Sequence, residues 1–367
     1  MKSRAAILFE VGQKLEVREV EVQDPGPGEV RVQMVAGGVC HSDLHIMTGH
    51  LDAPVPAVLG HEGAGIVTDV GVGVTSVKPG DHVIPLWRHA CGQCEHCTGG
   101  RPALCPSGTE MRWSGCLLDG TRRFAHQGQE IGHFAGVSSF SHYTVIPEKA
   151  VLKIPDDLPL ERAALLGCAV ITGVGAVINS AQVKPGRDVA VFGTGGVGIN
   201  VVQGAALSGA RMIFAVDLLE SRLEHARAFG ATHLINASEG DPVEQIRDLT
   251  GGRGVDYAFE VIGQPKTMRQ AYDCLAKRGV ATVVGVTPTT AEVSVPSLSL
   301  VYEERVLTGS LYGSAAPRTE IPRLIELYRS GSLKLDELLT HRYPIEEINE
   351  AYAALEAGET LRSVVTF

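Results

Sequence analysis

Four cysteines crowd into the stretch RHACGQCEHCTGGRPALC, residues 88–105: Cys91, Cys94, Cys97 and Cys105. The chain has eight cysteines, and the other four lie singly. The spacing is C-x2-C-x2-C-x7-C. Disulfides between cysteines three apart strain the bridge geometry and need an oxidising compartment. A redox pair needs only two thiols. Four thiolates match a closed tetrahedral zinc site, and the C-x2-C-x2-C run also matches an iron–sulfur ligand pattern. With sulfur at every coordination position, a zinc ion here takes no substrate and organises a loop.

Chemistry at a metal needs an open position beside three protein ligands. Three further segments offer donors: GVCHSDLH with Cys40, LGHEGAG with His61 and Glu62, and GCAVITG with Cys168. Alone, a buried Cys or His is ordinarily a core side chain. Together they supply two thiolates and one imidazole.

VFGTGGVG points to a nucleotide. Gly193, Gly195 and Gly198 satisfy G-x-G-x-x-G. RDVAVFG before them has the pattern of a buried strand, and GVGINVVQGAALSGA after them reads as a helix. The next strand-like run, RMIFAVD, ends in Asp217, 24 residues beyond Gly193. Such a turn, with Gly196 and Val197 inside it, lets a pyrophosphate approach the helix N-terminus. A carboxylate at the Asp217 position accepts hydrogen bonds from both ribose hydroxyls and repels a 2′-phosphate, which favours NAD over NADP. Arg222, five residues further on, reads either as a flank to the adenosine ribose or as a solvated helix charge.

These residues need elements to position them. A chain of 367 residues is long for one core, so two domains are expected. Residues 14–36, KLEVREVEVQDPGPGEVRVQMVA, alternate apolar and polar and read as antiparallel strands joined by the PGPG turn. GHEGAGIVTDVGVGVTSVKPGDHVIP continues in that style, with glycines at bulges and corners. From about residue 170, strand and helix patterns alternate through THLINA, PVEQIRDLT, VDYAFEVIG, TMRQAYDCLAKRG and VATVVGV. That rhythm implies a parallel sheet covered on both faces. Beyond about residue 311, EIPRLIELYRSG reads as an amphipathic helix and LRSVVTF as a strand.

The net charge is -10, and no Lys/Arg cluster falls on a helical face, which argues against a nucleic-acid partner. Residues 163–183 and 189–210 lack charge over a membrane-spanning length. Both carry glycines plus Asn179, Gln182, Asn200 and Gln203, so they read as buried α/β segments and no membrane partner is expected. The apolar run near the N-terminus, residues 5–9, is too short for a signal peptide. A cytoplasmic protein with reduced thiols is expected. Cys116 and Cys274 read as small buried side chains.

GVCHSDLH, GHEGAGIV, the four-cysteine loop, GTRRF, FAGVSSFSHYTV, GCAVITGVGAV, VFGTGGVG and LRSVVTF together span nearly the whole chain. In combination they resemble the zinc-dependent medium-chain alcohol dehydrogenases. The resemblance implies an α/β fold. A GroES-like β-rich catalytic domain (1–169 and 312–367) accompanies a Rossmann-type, doubly wound parallel-sheet domain (170–311) that binds NAD. The family's active site lies in the cleft between the two. It implies two zinc ions, one catalytic on Cys40, His61 and Cys168, and one structural on Cys91, Cys94, Cys97 and Cys105.

Asp43 becomes the acceptor that orients His61, Ser42 the partner of the alcohol oxygen, and His45 the group that passes the proton to solvent. Glu62 lies beside the metal and in some relatives exchanges with solvent as a ligand; Arg362 offers it an alternative partner. His41 and Arg362 match positions that meet the cofactor pyrophosphate, and Thr172 matches a contact to the nicotinamide side. Trp87, Phe134 and Ala135 fall where the substrate pocket is lined. The implied reaction is reversible hydride transfer between an alcohol, primary and aromatic or medium-chain, and NAD.

The long stretch from Cys105 to Ser141 resembles dimeric liver-type and thiol-dependent formaldehyde dehydrogenases, which implies a homodimer. A thiol-adduct substrate is therefore the alternative. Glutathione-dependent members carry arginine near Thr109 and usually Tyr where this chain has His45. GVCHSDLH with GRPALC looks nearer to the actinobacterial group that includes mycothiol-dependent formaldehyde dehydrogenase.

Overall fold

Alternating apolar and polar residues give the first part of the chain its short strands, and buried apolar runs give the second part its parallel ones. The computed structural model describes residues 1–367. The chain packs into two units. One comprises residues 1–168, 316–326 and 335–367, the other residues 169–315 and 327–334. Residues 327–334, expected with the β-rich part, pack with the second unit. Gln203 holds them there, its side chain accepting the Lys334 N–H at 2.8 Å and donating to the Lys334 carbonyl at 3.2 Å.

In the first unit, strands Lys2–Leu8, Glu16–Val22, Phe124–His126, Gln129–His133 and Ala57–Val58 close a small barrel. A second sheet runs through Val151–Lys153, His82–Pro85, Gly63–Val70, Glu29–Gly38, Arg362–Thr366 and Leu339–Pro344, with Tyr143–Pro147 also on Glu29–Gly38. Glu29–Gly38 is the organising strand. It pairs Gly37 with Gly63 on one side and Gly38 with Val364 on the other. That register sets Glu62 and Arg362 on either side of one strand. The C-terminal strand thus reaches the segment that carries His61.

Residues 14–36 form two strands but not a hairpin. Glu16–Val22 joins the barrel, whereas Glu29–Gly38 joins the second sheet. Pro25 and Pro27 bring no N–H donors to the turn. Beside the local bond from Glu29 N–H to Gly26 O at 3.1 Å, the turn is tied outward, from Gly28 N–H to Val72 O at 2.9 Å and from Glu148 N–H to Gly28 O at 2.9 Å. The PGPG stretch is a corner between sheets. The glycines of residues 63–70 do accompany irregularity, since the Glu29–Gly38 and Gly63–Val70 pairing shifts register twice.

In the second unit, six parallel strands lie in the order His233–Asn236, Met212–Asp217, Asp188–Phe192, Val255–Glu260, Leu275–Val283, Val306–Gly309. Asp188–Phe192 is buried along its whole length, as a sheet covered on both faces requires. The strand order reverses beside it, where such sheets place ligands. Residues Leu160–Ala181 form one helix long and apolar enough to cross a membrane by length and composition, but 83% of that window is buried inside the protein. The other charge-free stretch is a strand, a glycine turn and the helix Gly198–Leu207.

Candidate active site

Four donors from three segments of the first unit converge. The Sγ atoms of Cys40 and Cys168, an imidazole nitrogen of His61 and a carboxylate oxygen of Glu62 all lie within 4.8 Å of one another. All four residues are buried. Cys40 immediately precedes the helix His41–Met47. Cys168 lies in the π-helical turn Leu166–Val170, where the widened backbone redirects its side chain. His61 follows Gly60, whose φ of +89° belongs to the left-handed region and whose added Cβ would fall 2.4 Å from Ser139 Oγ. Glycine at 60 is therefore obligatory for this turn.

The imidazole is oriented from behind. His61 Nδ1 lies 3.0 Å from Asp43 Oδ2, and Asp43 is wholly buried. Asp43 Oδ1 accepts the Gly60 N–H at 2.9 Å, so one carboxylate sets both the ring and the turn that carries it. Neither Ser42 nor Asp43 caps the helix; its N-cap is Cys40, with no side-chain cap. Nε2 of His61 then faces the thiols without a hydrogen-bond partner, as does Glu62 Oε1, 3.8 Å away. Buried polar atoms are almost always partnered. Two orphans beside two thiols are the chemistry of a zinc site with two sulfurs and one nitrogen.

The charges agree. The Cys168 hydrogen bond holds the Cys40 thiol well below its usual range although burial pushes the other way, while its partner Cys168 is pushed well above. Burial pulls His61 down, but Asp43 and the Cys40 thiolate outweigh it and lift the imidazole to about 10. Burial pushes Glu62 up to about 7 against the pull of Arg362. Arg362 Nη2 donates to Glu62 Oε2, both side chains being sealed from solvent. The structure thus gives Glu62 the basic partner weighed from the sequence and ties Arg362 to the metal-side carboxylate.

The other site residues fall as follows. His45 is half-buried, with its ring 6.5 Å from His41 and 5.6 Å from the exposed His50. Burial and the neighbouring His50 lower its pKa. Ser42 is half-buried one position after His41. Trp87 and Phe134 each stand edge-on to the His61 ring at 5.9 Å, and Ala135 is buried with φ +54°.

The four-cysteine loop forms a second cluster, its Sγ atoms again within 4.8 Å of one another. Cys91 and Cys97 are 4.0 Å apart and Cys94 and Cys105 3.9 Å. A tetrahedron with Zn–S bonds of about 2.3 Å has edges of about 3.8 Å. Disulfide sulfurs would lie at about 2.05 Å, and all eight cysteines are free. The spacing also fits one ion better than a multi-iron cluster, whose thiolates sit on different metals. Backbone N–H groups of Cys91 and Cys94 point at Cys105 Sγ (3.3 Å) and Cys91 Sγ (3.4 Å). The backbone N–H groups of Gln93 and Cys94 hold the Cys91 thiol down to about 6, ready to bind as thiolate.

In the second unit, Gly193 (φ +92°) ends the strand, and Gly198 starts the helix so tightly that an added Cβ would lie 1.8 Å from the Gly193 carbonyl oxygen. An added Cβ on Gly195 would meet nothing, which leaves open space over the turn formed with Gly196 and Val197. Asp217 ends its strand with Oδ2 accepting from Thr194 N–H (2.8 Å) and Oγ1 (3.1 Å) and Oδ1 accepting from Leu218 N–H (2.8 Å). Arg222 reaches 4.0 Å from the same carboxylate. Thr172 Oγ1 is buried without a partner. An open glycine turn beside a fixed carboxylate fits a dinucleotide.

Three groups escaped the sequence. Thr194 fixes Asp217, but the position is an unconstrained x of the motif. Tyr352 buries a hydroxyl without a partner, and burial plus the charges of Asp43, Cys40 and Glu62 push its pKa well above the usual value. Arg112 is buried among Trp87, Trp113 and Phe134. The adjacent pair Arg112-Trp113 was its only signal. Cys274 is buried as expected, whereas Cys116 is only half-buried, because it sits past the helix C-terminus at Gly115 with its N–H on Ser114.

Comparison with known proteins gives the same reading. A family model described as alcohol dehydrogenase GroES-like domain matches residues 26–156, and one described as zinc-binding dehydrogenase matches residues 196–330. The chain is 44% identical to an alcohol dehydrogenase class-3 of Cereibacter sphaeroides, covering 100% of both chains. It is 42% identical to an S-(hydroxymethyl)glutathione dehydrogenase of Paracoccus denitrificans, again over 100% of both. Among solved structures, a benzyl alcohol dehydrogenase from Acinetobacter calcoaceticus superposes with TM-score 0.95 at 34% identity over 100% of this chain and 99% of that one. A zinc-binding alcohol dehydrogenase domain protein from Burkholderia ambifaria gives TM-score 0.95 at 38% identity with the same coverage. With full-length identity on this scale and two donor clusters that fit zinc, the chain belongs to the zinc-dependent medium-chain alcohol dehydrogenases, NAD-dependent oxidoreductases that act on CH–OH groups.

Proposed function

We propose that this dehydrogenase oxidises the hydroxymethyl adduct that formaldehyde forms with a thiol. The names of the relatives at 42–44% identity favour this alternative over a plain alcohol. The benzyl alcohol dehydrogenase likeness, at 34%, supports the plain-alcohol reading less strongly. The observation that carries the reaction class is the convergence of Cys40, His61 and Cys168 with two unpartnered polar atoms between them. The reaction turns an S-hydroxymethyl group into an S-formyl thioester, with a hydride passing to NAD and the hydroxyl proton released.

Bound zinc supplies a Lewis acid that lowers the pKa of an oxygen held against it, from 15.7 for bulk water to about 7, a change worth roughly 12 kcal/mol. Cys40, His61 and Cys168 would hold that ion, and Asp43, 3.0 Å from His61 Nδ1, would keep His61 Nε2 turned toward it. Trp87 and Phe134 exclude water from the imidazole side. Ser42 Oγ accepts the hydroxyl proton, and the His45 imidazole passes it outward past exposed His50. Gly193, Gly195, Gly196, Val197 and Gly198 would receive the pyrophosphate of NAD, Asp217 and Arg222 would hold the adenosine ribose, and Thr172 would meet the nicotinamide. Arg362 serves this site by holding Glu62.

The lowered His45 pKa has a definite sign. A proton acceptor must be neutral, and His45 is neutral at pH values above a pKa that lies below 6.5. His45→Ala therefore slows turnover by about 10²-fold near pH 7 and much less near pH 10, where solvent base takes over. Added imidazole restores part of the loss. A pH–rate profile of kcat parallel to that of the parent would remove His45 from the relay.

The strand Val306–Gly309 ends the six-strand order, with exposed Leu298, Val301, Tyr302 and Val306 at or near it. An unpaired edge flanked by apolar side chains supports a homodimer. Cys116 and Cys274, the two cysteines outside the donor clusters, are unbridged, which supports a cytoplasmic location.

The substrate is tested by following NAD reduction with a panel of alcohols, and with formaldehyde in the presence and absence of glutathione or mycothiol. Thiol plus formaldehyde is expected to exceed every simple alcohol in kcat/KM. Faster turnover of benzyl or medium-chain alcohols than of any adduct would return the plain-alcohol reading.

A further inference from the structure

Three arginines are buried: Arg88, Arg112 and Arg362. Arg88 donates to the Ala103 carbonyl at 2.6 and 2.9 Å, and Arg362 is paired with Glu62. Arg112 alone of the three has no hydrogen bond and no ion pair, although it is only 9% exposed. Its guanidinium carbon instead lies 4.7 Å from the Trp113 ring centre, 4.9 Å from that of Phe134 and 5.6 Å from that of Trp87. Aromatic faces stabilise a cation but satisfy none of its five N–H donors. A guanidinium this buried, whose donors meet no protein acceptor, is costly unless water or an anion completes it, and none of its nitrogens is sealed off from an incoming group.

The candidates within the fold are committed elsewhere. Asp43, Cys168 and Cys40 are close enough to favour the charge of Arg112. Yet Asp43 is engaged by His61 and Gly60, and both sulfurs belong to the metal set. Two of the three rings around Arg112, Trp87 and Phe134, are the two that flank His61 at 5.9 Å. The cation therefore lies one aromatic ring away from the reacting centre. Its helix, Pro106–Ser114, starts directly after Cys105, so the four-cysteine loop anchors the far end of the same element.

The geometry points to an anion subsite at Arg112 that takes a carboxylate carried by the substrate, with Trp87 and Phe134 walling the spacer between carboxylate and hydroxyl. A planar carboxylate can accept two parallel N–H bonds from the guanidinium. This rests on the reading of Cys40, His61 and Cys168 as the reacting centre. The carboxylate has two possible sources, the thiol of an adduct or an aromatic acid that bears the alcohol itself.

Two substrate pairs separate them in the zinc-loaded enzyme. One pair is 4-(hydroxymethyl)benzoate and benzyl alcohol. The other is the formaldehyde adducts of glutathione and of glutathione diethyl ester. A charged-to-neutral kcat/KM ratio of roughly 100 is expected in one pair, which names the source, expressed mainly in KM. R112M should collapse that ratio toward one, and R112K should keep part of it. Ratios near one in both pairs, or a ratio that R112M leaves intact, would overturn the subsite.

Binding alone gives a second readout. The only two tryptophans, Trp87 and Trp113, both pack on Arg112. Cyclohexanecarboxylate should shift the intrinsic fluorescence saturably, cyclohexanecarboxamide should not, and R112K should weaken the response. Identical responses to acid and amide would also overturn it. Inactivity toward all four substrates with a normal fluorescence response would sink the dehydrogenase reading and leave the subsite standing.

Discussion

Cys168→Ala is expected to lower kcat/KM by roughly 10³-fold or more and to cut the zinc content from two ions per chain to one. The thiolate is one of three strong donors, and nothing nearby replaces it. Glu62 is the only other candidate in the cluster, and its carboxylate is already held by Arg362. An ion on Cys40 and His61 alone is bound weakly, and without it the oxygen of the substrate keeps nearly its full pKa. Steady-state kinetics with zinc analysis on the same preparation checks both halves. Full zinc content with full activity would show that Cys168 is a core thiol.

Cys97→Ser should act on stability rather than on chemistry first. The loop has little else to hold it. The helix Glu95–Thr98 buries no residue, and Cys91, Cys94 and Cys97 are only half-buried. Structural zinc contributes roughly 10–16 kcal/mol of apparent binding energy in small zinc peptides, so losing even a third of that is large. For a unit of this size a 1 kcal/mol loss shifts Tm by about 2–4 °C, and a fall of about 10 °C is expected. Calorimetry should show the fall, and hydrogen exchange should show protection lost across residues 88–114. The loss should also reach Arg112, because the helix Pro106–Ser114 is fastened to the loop at Cys105. An unchanged Tm and unchanged exchange would mean that the four thiols are spectators.

Much of this is legible in the amino-acid sequence. The Gly193–Gly198 turn was readable because its constraint is local: a strand, a tight turn and a helix in immediate succession. The cysteines and the histidine that gather in the two donor clusters are readable too, since donor chemistry narrows the candidates to a few residue types. Other features depend on segments far apart in the chain. Residues 16–22 and 29–38 carry the right alternation, but which strands they pair with is set by hydrogen bonds of the connecting turn to Val72 and Glu148. Alternation carries no information about the neighbouring strand. Arg112 was missed for a similar reason, because its environment comes from rings at 87, 113 and 134. Residues 327–334 went to the other unit through Gln203, one polar side chain inside an apolar helix.

Everything proposed for this enzyme depends on two ions with different surroundings. The most direct measurement is anomalous scattering across the zinc edge from a crystal of the full chain. Two peaks per chain are expected, one bounded by Cys40, His61 and Cys168 and one by the four cysteines at 91, 94, 97 and 105. A single peak at the four-cysteine loop, in protein that still oxidises its alcohol at full rate, would contradict the assignment of the reacting centre.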